Sequence, residues 1–198
     1  MFLNPEEHIE KQRANLPHWQ QGDAWIFLTW RLADSLPEGV IRKIIQQRED
    51  WELCHPKPWD EETQKESNRL FTQRFEELLD DCHGSCLLRD PMVRRIVTDA
   101  FHHFDGTRYS IGSFVVMPNH VHILFRIIGD HKLGDVVHSW KSFTAHGINK
   151  HLGRAGAVWQ REYWDRLIRS QKHFDWAMRY IRQNPAKQRE GEFSLHIP

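Results

Sequence analysis

The sequence predicts an α+β protein, one antiparallel sheet with helices packed on it. Three observations lead there. Two apolar strand-like runs, Tyr109–Met117 and His120–Ile128, are separated only by the break Pro118-Asn119. Segments with helical spacing of apolar residues lie before and after them. The mixing of helices and strands, without repeats or low-complexity tracts, fits a single layered domain of 198 residues.

Taken in order, residues 1–22 are polar and read as a loose arm or short helix. Ala24–Leu32 is rich in aromatic and β-branched residues and reads as a strand. Pro37 opens a helix with Val40, Ile41, Ile44 and Ile45 on one face. Cys54–Asp60, with Pro56 and Pro58, is a loop. Glu61–Asp81 reads as one helix with the stripe Leu70, Phe71, Phe75, Leu78 and Leu79, stopped near Gly84. Asp90-Pro91 is an N-cap followed by proline at the first helical position. The helix it starts places Met92, Val93, Ile96, Val97, Ala100, Phe101 and Phe104 on its apolar face and ends at Asp105-Gly106. After the two strands, Gly129-Asp130 closes the second. Leu133–His151 is a helix with Leu133, Val136, Val137, Trp140 and Phe143 inward. Gly153–Gly156 is a loop, Val158–Arg169 a short strand or irregular segment, and Lys172–Gln183 a last helix stopped by Asn184-Pro185.

Composition narrows the function. No apolar run is long enough for a transmembrane helix, and the N-terminus lacks an apolar signal region. Three cysteines, Cys54, Cys82 and Cys86, argue against a disulfide framework and for a reducing cytoplasm. Cys82-His83 and Cys86 resemble half a zinc site, but no second Cys/His pair at fitting spacing completes it. The formal net charge is zero, yet residues 1–106 carry 13 Lys+Arg against 20 Asp+Glu and residues 107–198 carry 14 against 7. A basic half beside an acidic one fits a polyanion-binding face.

The basic half also holds the most informative stretch, Phe114-Val-Val-Met-Pro-Asn-His-Val-His-Ile-Leu-Phe125. In a strand His120 and His122 point one way, and Val121, Ile123 and Phe125 the other. Two imidazoles on one face make half a metal site. Such pairs also occur on half-exposed strands without metal, so other residues must complete the site. The last helix offers two. Tyr180 and Asn184 are one helical turn apart, a phenol and an amide oxygen on one face. Of the three tyrosines only Tyr180 has a carboxamide four residues on; Ser113 follows Tyr109 and Leu167 follows Tyr163.

The strand Met117-Pro-Asn-His-Val-His-Ile-Leu-Phe125 resembles the His-hydrophobic-His (HUH) motif of single-tyrosine transposases. Trp159-Gln-Arg-Glu-Tyr-Trp-Asp-Arg-Leu-Ile-Arg169 and Tyr180-Ile-Arg-Gln-Asn-Pro185 resemble the REP-associated tyrosine transposases in particular, as does the early Trp25-Ile-Phe-Leu-Thr-Trp-Arg31. The strong resemblance covers about residues 107–190. Residues about 34–90 are longer than the linker of the shortest members, hence the expected helical insertion, and the short stretch after Pro185 implies a short DNA-contacting tail.

The resemblance implies the ferredoxin-like fold of HUH nucleases. It also implies cutting and rejoining of single-stranded hairpin DNA through a 5′-phosphotyrosine on Tyr180, with Mg²⁺ or Mn²⁺ held by His120, His122 and Asn184. Expected DNA contacts are Arg161, Arg166, Arg169, Arg179, Arg182 and Lys187 to phosphates, and Tyr163 and Trp164, with Trp159, to unpaired bases. The expected setting is the bacterial cytoplasm at the nucleoid, as a monomer or a homodimer, with the tyrosine helix docked on its own histidines or on a partner's. Two other readings stay open. One is a metal-dependent hydrolase using water as its nucleophile; the other is a catalytically inactive hairpin-binding protein.

Overall fold

A computed structural model describes residues 1–4, 6–13, 17–56 and 58–198. They fall into two compact units, Met1–Ala33 with Leu87–Pro198, and Asp34–Cys86.

The first unit opens on a short antiparallel pair, β1 (Glu10–Arg13) and β2 (Pro17–Gln20), where the sequence led us to expect an arm or short helix. The reason lies far along the chain. His18 Nδ1 is hydrogen-bonded to the carboxylate of Asp165, whose second oxygen accepts the Trp19 N–H. A polar segment with no apolar alternation is thus fixed by contacts about 146 residues away.

The main sheet contains β3 (Trp25–Arg31), β4 (Tyr109–Val116), β5 (His120–Ile127), β6 (Trp164–Leu167) and β7 (Ser194–His196). All neighbours are antiparallel, in the order β6-β3-β5-β4-β7. Leaving β7 aside, the elements run strand, helix, strand, strand, helix, strand in spatial order 4-1-3-2, which is the ferredoxin-like arrangement. Helices cover both faces of the sheet, so β5 is buried on both sides even though one of them carries His120 and His122.

Helices α4 (Pro91–His103) and α5 (Leu133–His151) cover one face. Asp90 caps α4, its Oδ1 accepting the Met92 and Val93 N–H groups, with Pro91 at the first position. Val97 and Phe101 of α4 and Trp140 of α5 pack there on Ile26, Leu28, Trp30, Phe114, Val121, Ile123 and Phe125. Tyr109 is buried in this layer, its hydroxyl donating to the Ala100 and Phe101 carbonyls and accepting from Trp140 Nε1. Phe143, expected inward, is 64% exposed, as is half of Met92. One turn beyond Trp140, Thr144 takes the inward place and bonds Trp159 Nε1.

Helix α6 (Gln171–Gln183) covers the other face, begun by Ser170, whose side chain accepts the His173 N–H. It buries Ala177 and Ile181 against Phe27, Val115, Met117, Leu124 and Ile168. Asn184-Pro185 ends it, but the chain continues as a 3-10 turn, Asn184–Lys187.

A β-bulge at Gly112 keeps β4 usable on both sides. The register shifts between Ile111 and Ser113, so Tyr109 and Ile111 before the bulge share a face with Phe114 and Val116 after it. A Cβ at Gly112 would stand 2.9 Å from the Trp25 ring. Strand β7 has no sequence signal of its own. It pairs with the end of β4, and buried Arg94 ties it down by donating to Ser194 Oγ and the Gly191 carbonyl.

The second unit is helical, with α1 (Glu38–Cys54), α2 (Glu61–Ser67) and α3 (Arg74–Asp80). The helix expected over 61–81 is divided, because a π-helical segment, Asn68–Gln73, separates α2 from α3. Trp51 packs edge-on against Trp59 and Phe71. Gly84 sits at φ +88°, and a Cβ there would meet the Asp34 carbonyl oxygen at 2.4 Å, so only glycine fits. No disulfide forms among the described residues, and Cys86 Sγ donates to the Cys82 carbonyl. Among the described residues no three His, Cys, Asp or Glu cluster as a metal site, and no helix is long and apolar enough to cross a membrane.

Candidate active site on the histidine face

Strand alternation and cross-strand register build the site. Phe27 and Thr29 of β3 share a face with His122 and Leu124 of β5, because Thr29 is paired with His122 and Phe27 with Leu124. One step out, Trp164 is paired with Thr29 and Arg166 with Phe27, so both β6 side chains lie on that face as well. One row across the sheet therefore reads Trp164, Thr29, His122, Val115, Leu195.

Both histidines are fully buried. Their rings meet edge-on with centroids 4.7 Å apart. His120 Nδ1 lies 2.7 Å from Asn119 Oδ1 and His122 Nδ1 lies 2.7 Å from Thr29 Oγ1. Burial pushes His120 down to about 3, opposed in part by the Asn184 side chain beside it. Burial, with His120 beside it, also holds His122 well below the usual imidazole range. Both rings are therefore neutral, the form that ligates metals.

Helix α6 brings Tyr180 over this pair. Its ring stands 5.1 Å from His122, nearly perpendicular, with Phe27 at 5.8 Å and Trp176 stacked on it at 5.3 Å. Trp176 and Tyr180 are one turn apart, so the stack forms within the helix. Asn184, a further turn on, gives its backbone N–H to the Tyr180 carbonyl. Its Oδ1 and the Nε2 of His122 are buried atoms without hydrogen-bond partners among the described residues. Buried polar atoms are rarely left so. A neutral imidazole nitrogen and an amide oxygen, both turned inward beside a second imidazole, fit the donor set of a divalent cation such as Mn²⁺ or Mg²⁺.

The other two tyrosines are occupied elsewhere. Tyr109 belongs to the opposite layer, and Tyr163 stacks on His18 at 3.9 Å. Burial raises the Tyr163 phenol above its usual range, with Asp165 and Glu162 adding to the effect.

The expected DNA-contacting residues divide. Trp164 and Arg166, half-buried, share the histidine face. Arg179 and Arg182 are exposed on α6 and line an open cleft with Lys172, Phe174 and Met178. Arg161 and Tyr163 line a different cleft with Lys141, His138 and Trp159, where Lys141 donates to the Gln160 and Arg161 carbonyls. Arg169 is exposed at the start of α6, and the side chain of Lys187 lies outside the described residues. Sequence reasoning missed Thr29, Phe27, Trp176 and the role of Asn119. Asn119 adjoins His120 and was within reach of a sequence argument. Thr29 is 93 residues from His122 and carries no local signal.

Residues 88–184 match the family model described as "Transposase IS200 like". That span takes in both histidines, Tyr180 and Asn184, and leaves out β3. Among curated proteins nothing matches the chain. Among solved structures it is similar to a REP-associated tyrosine transposase bound to a REP hairpin, at 17% identity and TM-score 0.49, covering 88% of this chain and 74% of that one. It is also similar to a candidate transposase from Deinococcus radiodurans R1, at 15% identity and TM-score 0.35, covering 83% of this chain and 93% of that one.

Proposed function

We propose, from the match of residues 88–184 to the IS200-like transposase family, that the protein cuts and rejoins single-stranded DNA at hairpin-forming sequences with Tyr180 as its nucleophile. One observation carries the reading. Of three tyrosines, the one set against the buried histidine pair is also the one with a carboxamide on the next turn.

In the forward step the Tyr180 Oη forms a bond to the phosphorus of a backbone phosphate as the bond from phosphorus to the 3′ oxygen breaks. The proton lost by the phenol is matched by the one taken up at the leaving oxygen, which becomes a 3′-hydroxyl, and the 5′ end stays on Tyr180. A 3′-hydroxyl reverses the exchange, so no phosphodiester is spent. Mg²⁺ or Mn²⁺ held by His120, His122 and Asn184 would supply charge neutralisation at the non-bridging oxygens. Trp176 and Phe27 fix the Tyr180 ring from two sides. Arg166 and Trp164 border the site; Arg179, Arg182, Arg169, Arg161 and Lys187 would extend phosphate contact, and Tyr163 would bound the second cleft. All four central groups come from one chain, so monomer and homodimer alike could carry complete sites.

The test is incubation with end-labelled hairpin DNA, a REP hairpin being the first substrate to try, in Mn²⁺ or Mg²⁺. We expect a protein–DNA adduct that survives denaturation and is lost in Tyr180→Phe. Cleavage that persists in that variant would establish a water nucleophile. Binding with no cleavage in any metal would establish a hairpin-binding protein.

A further inference from the structure

Each histidine of the pair has its second nitrogen engaged by the protein. The Asn119 Oδ1 at His120 Nδ1 can only accept, so the proton of that bond belongs to the imidazole. The Thr29 hydroxyl at His122 Nδ1 could give or take a proton. The far side of the ring decides. His122 Nε2 is buried and has no hydrogen-bond partner among the described residues. A proton there would leave a buried N–H without an acceptor, whereas a lone pair there is what a cation uses. The favourable arrangement has His122 Nδ1–H donating to Thr29 Oγ1.

We infer that Thr29 and Asn119 are positioning residues that hold both imidazoles as Nδ1–H tautomers, leaving Nε2 of each unprotonated toward Tyr180 and Asn184. Their backbones suit the task. Thr29 is in the middle of β3, paired on both sides, with His122 and with Trp164. Asn119 is fully buried, and its carbonyl accepts the Leu32 N–H, which ties the turn before β5 to the end of β3. A ring held from behind cannot rotate or change tautomer without breaking that bond, so the ligand geometry exists before any cation arrives. The purpose assigned to the lock rests on the proposed cation site; the tautomers themselves do not.

Long-range ¹H–¹⁵N spectra of metal-free protein labelled in histidine read the tautomers directly. We expect Nδ1–H for both rings. Thr29→Val, which keeps the shape and removes the acceptor, should shift His122 toward the Nε2–H form. It should also weaken Mn²⁺ binding, followed by EPR, about 10- to 100-fold. Thr29→Ser should restore both, and thermal unfolding confirms that each variant is folded. Nε2–H on His122 in the unaltered protein would overturn the inference, as would Thr29→Val with unchanged tautomer. If the tautomers respond as expected but neither protein binds Mn²⁺ or Mg²⁺, the lock stands and the cation site fails. Mn²⁺ binding with tautomers indifferent to Thr29 would remove the lock alone.

Discussion

The two faces of β5 differ in kind although their residues alternate one by one. Val121, Ile123 and Phe125 enter the layer under α4 and α5, where the neighbours are apolar and aromatic side chains, the Tyr109 hydroxyl has its bonds made, and the Trp30 indole N–H has no partner among the described residues. His120 and His122 enter the layer under α6, equally buried, where His122 Nε2 and Asn184 Oδ1 have none. Burial is the same; the chemistry left open is not, a lone indole donor on one side and cation-binding lone pairs on the other. One side of the strand is built for stability, and the other stores polar groups that burial alone would disfavour.

Substitutions on the two faces should therefore separate stability from chemistry. Tyr180→Phe should reduce covalent adduct formation by on the order of 10⁴-fold or more while thermal stability and hairpin affinity stay near those of the parent. Retained adduct would break the comparison at once. His120→Ala should abolish metal-dependent cleavage and leave hairpin affinity largely intact, since phosphate contacts dominate binding. Equal loss of both, measured by electrophoretic shift, would mean that this face is structural too. Ile123→Ala on the opposite face should lower unfolding free energy by about 2–5 kcal/mol and leave adduct formation per folded molecule unchanged. Denaturant titration and a single-turnover assay check the two halves of that statement. The smallest effect is expected from Arg182→Ala. It should weaken hairpin binding uniformly across sequences and reduce the salt slope of log affinity by about one; an unchanged slope would take Arg182 off the DNA path.

Much of this division was legible from local pattern. The Asp90-Pro91 start of α4, the full extent of α5, the break at Pro118-Asn119 and the opposed sides of His120-Val121-His122 follow from neighbouring residues. So does the spacing of Tyr180 and Asn184. The elements that were not legible depend on remote partners. The β1–β2 pair is anchored by Asp165, and β7 is held by Arg94 and the edge of β4. Phe143 fits the helical stripe of α5 by spacing, yet Thr144 at the neighbouring position bonds Trp159 and turns inward in its place. The split of residues 61–81 by a π-helical segment leaves the apolar spacing readable, and so it gave no warning. Thr29 is the sharpest case: its hydroxyl meets His122 only because β3 pairs with β5 across the whole of α4 and β4.

The site is divided between an early strand and the last long helix: Thr29 is at one end of the chain's order, Tyr180 and Asn184 at the other, with the histidines between. During synthesis the strand bearing the histidines leaves the ribosome well before the helix bearing the hydroxyl that would cut. A nascent or prematurely ended chain could fold its histidine hairpin and still be harmless to any strand it met. Under the proposed cutting reaction, a chain order that puts the histidines before the tyrosine delays the chemistry until the later element has been made.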